Sequence, residues 1–240
     1  MRNYFILLLV IFIFNCTHKE RVLDSKYNHT ELNTNLALRY TLNRMHKESE
    51  GEIFTILKGL SNGIFRKLKP EDMRDAYIAM SREQGIQMYE LILENKSKNI
   101  IEFGTSFGIS TLYLGAGAKV NRGKVITTEV LKVKADVARK NFQEANLSEF
   151  IELREGDAIV TLQNAPENIE FLLLDGWNDL YLPLLKLLEP KFKDGCVVVT
   201  DNVNFSSAKP FLDYVRNHKN YQSGYLNPED YRTEKSVWRK

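Results

Sequence analysis

From Asn99 onward the chain alternates short apolar runs with helical periodicity. Ile100–Phe103, Lys124–Glu129, Phe150–Arg154, Ile169–Asp175 and Gly195–Thr200 read as strands. Between them Ser110–Ala118, Lys132–Ala145, Ala158–Gln163, Tyr181–Leu188 and Ala208–Asn217 carry the three-to-four-residue spacing of helices. Tyr221–Leu226 and Lys235–Trp238 close the chain as two further strands. Phe171–Leu174 and Cys196–Val199 are apolar without alternation, as expected of parallel strands covered on both faces. The expected fold is α/β, a Rossmann-like doubly wound sheet. It is mostly parallel, with an antiparallel last strand.

Helices precede this unit. Leu36–Lys69 shows helical spacing at Leu38, Leu42 and Met45, then at Ile53, Ile56, Leu57 and Leu60. A second helix is expected to start at Lys69-Pro70-Glu71-Asp72, with proline and acids in its first turn. Ser81-Arg82-Glu83-Gln84 fits a capping box for a third. The Leu36–Lys69 helices are placed to cover a site or to form a homodimer contact.

The N-terminus differs in character. Arg2 precedes an unbroken apolar run, Tyr4–Phe14, and Cys16 follows. The run is too short for a spanning helix, which needs about 20 residues, and suits a signal-peptide core. A cysteine directly after such a run is where a bacterial lipoprotein is cleaved and acylated. Residues 1–15 are expected to be a signal peptide or anchor, 16–35 a polar tether and 36–240 the folded domain. Lipidation at Cys16, or the apolar run itself, would attach the protein to a membrane, with the cytoplasmic face still open.

Length and charge narrow the rest. The 240 residues suffice for one large domain. A net charge of +2 gives no argument for nucleic acid. Two cysteines, Cys16 and Cys196, and four scattered histidines supply neither a disulfide framework nor a zinc cluster.

The chemistry gathers at the strand ends. Glu102-Phe103-Gly104 and Gly108 read as a strand, a tight turn and a helix start whose free N–H groups suit an anion. The spacing is E-x-G-x-x-x-G rather than G-x-G-x-x-G, and the acid suits a ligand bearing an amino group. The next strands end in Glu129, Glu155-Gly156-Asp157, Asp175 and Asp201-Asn202. One acid after a strand is ordinarily a cap. Five at one sheet edge, where ligands of such sheets bind, suggest more. A carboxylate at Glu129 can accept both hydroxyls of a ribose. Asp175, Asp201 and Asn202 offer oxygen ligands suited to Mg²⁺.

The segments EFGTSFGISTLYL, VITTE, REGDA, LLLDGW and TDN resemble class I S-adenosylmethionine-dependent methyltransferases. Within these the likeness is to the cation-dependent O-methyltransferases similar to catechol O-methyltransferase, in a bacterial subgroup. It spans about Met80–Lys240. The resemblance implies methyl transfer from S-adenosylmethionine to a hydroxyl of a small molecule. By it Glu102, Gly104, Ser106, Gly108 and Ser110 would cradle the methionine part. Glu129 would hold the ribose and Asp157 the adenine edge. Met80, Thr105, Gly156 and Asp175 would complete the cofactor site. Asp175, Asp201 and Asn202 would hold Mg²⁺ or another divalent cation, and Trp177 would wall the transfer site. The family commonly has a lysine base where this chain has Asn178, and an amide cannot take a proton at neutral pH. Lys186 or Lys209 could stand in. A sugar O-methyltransferase and a non-catalytic lipoprotein that keeps the fold are the alternative readings.

Overall fold

The computed structural model describes residues 31–50, 55, 58, 61, 66, 68–77 and 79–240. The signal peptide, Cys16 and most of the expected tether lie outside the described residues. So does most of the second half of the Leu36–Lys69 helical region.

Helix α1 spans Glu31–Thr34 and buries Leu32, so the final residues of the expected tether already belong to the folded unit. Helix α2 spans Leu36–Glu50 and buries Leu38, Leu42 and Met45, the stripe its periodicity marks. The helix expected from Lys69 is only a four-residue 3₁₀ turn, Pro70–Met73. Its Asp72 carboxylate takes the Lys69 backbone N–H and the Arg66 guanidinium, which satisfies the turn locally. Helix α3, Arg82–Glu94, opens with the expected capping box. Ser81 Oγ accepts from the Gln84 backbone, and Gln84 Oε1 accepts from the Ser81 backbone, both at 3.2 Å.

The alternating region follows the expected order. Strand β1 (Asn99–Phe103) leads to α4 (Ile109–Asn121), and β2 (Lys124–Glu129) to α5 (Lys132–Glu144). Strand β3 (Ile151–Glu155) leads to the short α6 (Ala158–Thr161), and β4 (Ile169–Leu174) to α7 (Tyr181–Leu188). Strand β5 (Phe192–Thr200) leads to α8 (Lys209–Asn217), and the hairpin β6 (Tyr221–Asn227) and β7 (Asp230–Trp238) ends the chain. The last two strands are longer than expected and their connection is tight, since β6 runs to Asn227 and β7 already begins at Asp230.

The seven strands form one sheet in the order β3-β2-β1-β4-β5-β7-β6. Strands β1 to β5 pair in parallel, and β7 inserts antiparallel between β5 and β6. The strand order reverses between β1 and β4, the point beyond which doubly wound sheets bind ligands. One apolar core lies between the sheet and α2, α3, α4 and α5, and a second packs α7 and α8 on the other face. Burial of both faces explains why Phe171–Leu174 and Val197–Val199 lack polar alternation. No helix among the described residues is long and apolar enough to cross a membrane.

Helices α3 and α4 pack closely at Gly85. A β-carbon there would come within 2.3 Å of the Tyr113 ring, whose hydroxyl is held 3.1 Å from His46 Nε2. Alanine would gain at most about 1 kcal/mol of helix propensity. Overpacking costs roughly 1–3 kcal/mol, so the clash dominates. Gly85→Ala is expected to lower the thermal midpoint by a few degrees in a calorimetric scan. An unchanged or higher midpoint would show that the contact yields freely.

Candidate active site

Each acid at the carboxyl edge is fixed by backbone that continues the ladder past the strand ends. The Asp175 N–H donates to Phe103 O at 2.9 Å, and the Asp201 N–H to Leu174 O at 2.9 Å. Gly156 N–H donates to Glu129 O at 2.8 Å. The glycine turn after β1 closes over this edge. Gly104 has φ +107°, and a β-carbon on it would lie 2.4 Å from the Asp175 carbonyl oxygen. Gly108 has φ +95°, where a β-carbon would strike the Phe142 ring at 2.5 Å. Only glycine satisfies both the left-handed backbone and the close approach.

Glu102 is fully buried beneath the turn. One oxygen, Oε2, accepts from the hydroxyls of Thr111 and Thr127, each at 2.5 Å, while Oε1 is buried with no hydrogen-bond partner. Burial pushes its carboxyl up, hydroxyl bonds from Ser110, Thr111 and Thr127 oppose this, and the charge of Glu129 adds to it. Thr105 shares a 2.5 Å hydrogen bond with Thr127, so it braces the strand ends.

Glu129 is held by backbone. Its Oε2 accepts the Ser106 N–H and its Oε1 the Leu131 N–H, both at 2.8 Å. Burial raises its pKa, and these N–H groups and the charge of Lys134 resist the rise. Lys134 was not marked by the sequence reading. It is 5% exposed, and its Nζ donates to Ala76 O at 3.1 Å and Ser106 Oγ at 3.3 Å above the Phe107 ring. Tyr77 stacks on that ring, so the lysine and the ring pair tie the segment before α3 to the glycine turn. Its signal was available, because Lys134, Ala138 and Asn141 share one buried face of α5.

Asp175, Asp201 and Asn202 meet at the ends of β4 and β5. The Asn202 amide nitrogen lies 3.3 Å from Asp175 Oδ1 and 3.2 Å from Asp201 Oδ2. Thr233 Oγ1 donates to Asp201 Oδ1 at 2.7 Å, and Gln84 Nε2 approaches the same oxygen at 3.4 Å. Asp175 is driven well above the ordinary carboxylate range by burial and then by the charges of Asp201 and Glu102. Asp201 is raised by burial, against the hydrogen bond from Thr233. Among the described residues no cluster of three or more His, Cys, Asp or Glu could hold a metal. Two aspartates and an amide nonetheless form an all-oxygen donor set once the Asn202 amide turns its carbonyl inward. The NH₂ group bridging them stands where positive charge is favoured. The donor chemistry therefore fits a hard divalent cation.

The remaining candidates take more ordinary positions. Asp157 is exposed and caps α6, accepting from the Ile159 N–H at 2.8 Å. Met80 is buried in the core against the N-terminal helices. Ser110 is turned toward Glu102, and Trp177 is half-buried. Asn178 donates to the Asn202 carbonyl at 3.0 Å, bracing the turn after β5. Lys209 pairs with Asp213, and Lys186 lies over the Tyr214 ring, so neither is brought to Asp175.

The state of Glu102 sets a pH dependence. Its pKa is raised above the unfolded value near 4.5, so the native state holds the proton more tightly. Stability then falls as pH rises through the raised value, and the penalty is absent below the unfolded value. Glu102→Gln keeps an acceptor for Thr111 and Thr127 and removes the charge. Its thermal midpoint should exceed wild type at pH 7.5, with the gain shrinking toward pH 4.5. A midpoint below wild type throughout would contradict the assignment.

Known proteins match this arrangement. Residues 101–203, from β1 to the end of the β5 turn, match the family model for a methyltransferase domain. Catechol O-methyltransferase B of Danio rerio is 31% identical over 151 residues, covering 60% of this chain and 57% of the relative. Catechol O-methyltransferase of Mycobacterium tuberculosis is 33% identical over 130 residues, covering 52% and 57%. The chain thus spans less than two thirds of the length of these curated relatives. An O-methyltransferase from Bacillus cereus, solved in complex with SAH, superposes with a TM-score of 0.64 at 22% identity, covering 83% of this chain and 91% of the other. The O-methyltransferase TomG from Streptomyces achromogenes superposes at 0.63 with 16% identity, over 97% and 96%. At these identities the structural likeness speaks for the fold, while the sequence relatives carry the kinship. By sheet order, glycine turn and sequence likeness together, this chain has the fold of S-adenosylmethionine-dependent O-methyltransferases, matches a methyltransferase-domain model over residues 101–203, and is similar to catechol O-methyltransferases over about half its length.

Proposed function

We propose that this chain transfers a methyl group from S-adenosylmethionine to a hydroxyl of a small molecule, assisted by a divalent cation. The observation that carries the reading is the set of carboxyls gathered at the switch point of the sheet, Glu102 and Glu129 buried and Asp175 and Asp201 half-buried, about the glycine turn. Such a set is costly without cationic or hydroxylic partners.

The residues divide the work. Glu102 has an unpartnered buried oxygen and lies beneath the turn, which suits the positive end of the methionine moiety. The turn at Gly104–Gly108 opens the N-terminus of the thirteen-residue α4, whose free N–H groups suit the carboxylate of that moiety. Glu129 is pinned by two backbone N–H groups and keeps acceptor capacity for ribose hydroxyls. Asp157 and Trp177 would bound the adenine and the transfer site. Asp175, Asp201 and Asn202 would hold the cation, which when bound would lower the pKa of an acceptor hydroxyl. Asn178 braces the Asn202 turn and supplies no base. The proton of the acceptor hydroxyl would pass to water, S-adenosylhomocysteine would leave, and the chain then depends on alignment more than on a side-chain proton acceptor. Attachment to a membrane through an acylated Cys16 remains part of the proposal.

Calorimetric titration of S-adenosylhomocysteine into the full chain tests this reading. Micromolar binding is expected. A hydrogen bond to a charged group contributes about 1.5–3 kcal/mol, so Glu129→Ala should weaken binding at least tenfold. Absence of binding to the wild type, with and without Mg²⁺, would overturn the assignment.

A further inference from the structure

Asp201 belongs to two neighbourhoods. Its Oδ2 faces Asn202 and the candidate cation site, and its Oδ1 is taken by Gln84 and Thr233. Gln84 and Thr233 also form opposite walls of a cleft between the start of α3 and the β6–β7 hairpin. The cleft therefore opens one carboxylate away from the candidate cation site.

Its lining is unusual for a site that would take a planar aromatic acceptor. Ser81, Glu83, Gln84 and Gln87 line one wall, and Asn227, Asp230, Arg232 and Thr233 the other. Leu226 is the one hydrophobic side chain and no aromatic contributes, among the described residues. Asp230 and Arg232 are joined as a fork, Nε to Oδ1 at 2.6 Å and Nη2 to Oδ2 at 2.7 Å. This pairing largely cancels their charges, and an Asp carboxylate accepts about four hydrogen bonds in all. The lining thus offers hydroxyl and amide donors with amide and carboxylate acceptors, and Glu83 is its one charged group outside that pair. An aromatic ring would cover these groups and return no hydrogen bonds, whereas pockets for rings are lined mainly by apolar and aromatic side chains. A molecule rich in hydroxyls satisfies them.

The geometry points to a polyhydroxylated, non-aromatic acceptor, such as a sugar or cyclitol, bound between α3 and the β6–β7 hairpin with one hydroxyl directed past Asp201. This inference rests on the methyltransferase reading and adds the acceptor class to it. Register supports the placement, since β7 pairs with β5 through Thr200 and Glu234, which sets Thr233 against Asp201.

The test is a transfer assay with radiolabelled S-adenosylmethionine, Mg²⁺ and the full chain. A panel of methyl glycosides and myo-inositol is compared with catechol. At least one polyol is expected to be methylated tenfold or more faster than catechol. Asp230→Asn should raise KM for that polyol at least fivefold, with kcat and the affinity for S-adenosylhomocysteine little changed. Catechol being preferred, no polyol being methylated above background, or a KM unmoved by Asp230→Asn would overturn the acceptor class. Where S-adenosylhomocysteine binds in those cases, the methyltransferase reading stands without it. Failure of the wild type to bind S-adenosylhomocysteine would remove both.

Discussion

Repulsion and desolvation among carboxyls at one edge of the sheet are the constraint around which this structure is arranged. Glu102 stands one residue before the end of β1, Asp175 follows β4 and Asp201 follows β5, and burial raises the pKa of all three. The parallel register allows no relief by displacement. Phe103 pairs with Leu174 and Leu174 with Thr200, so the next residues of adjacent strands emerge side by side. The fold therefore brings the acids together because of how its strands align, and must hold them there.

It holds them with neutral donors more than with cations. Thr111 and Thr127 serve Glu102, backbone N–H groups serve Glu129, and Thr233 serves Asp201. Hydroxyls and amides fix the direction of a carboxylate without cancelling its charge. Lys134 is the nearest internal cation of Glu129, and it is itself spent on Ala76 and Ser106. Such an edge is destabilising in isolation, and the cationic ligands of the proposed function would relieve it. Active sites commonly store free energy in this way. The glycine turn belongs to the same logic, since side chains at Gly104 and Gly108 would push the covering loop off the acids.

Much of this was legible in the chain. Strand β2 and helix α7 match their expected bounds; Gly123 precedes β2, and Glu189-Pro190 follows α7. The strand-end acids were legible as polar residues at the close of apolar runs. What stayed hidden depends on tertiary neighbours. Lys134 looks like any surface lysine of an amphipathic helix until α5 is docked against the glycine turn. Thr233 and Gln84 reach Asp201 from 32 and 117 residues away in sequence. The 3₁₀ turn at Pro70–Met73 carried good helix-start signals, but a start signal does not supply the apolar stripe that propagates a helix. Asn178, suspect in sequence for the proton it cannot accept, takes a bracing role in the turn after β5.

The central claim, resting on the proposed function, is that crowded carboxyls at this edge are relieved by binding a cationic partner. Thermal unfolding of the full chain in EDTA, then with millimolar Mg²⁺ and with S-adenosylhomocysteine added, reads that directly. A ligand that binds the native state alone stabilises it by RT ln(1 + [L]/Kd). The account predicts that each addition raises the midpoint and that the two together raise it further. A midpoint unmoved by either would contradict it.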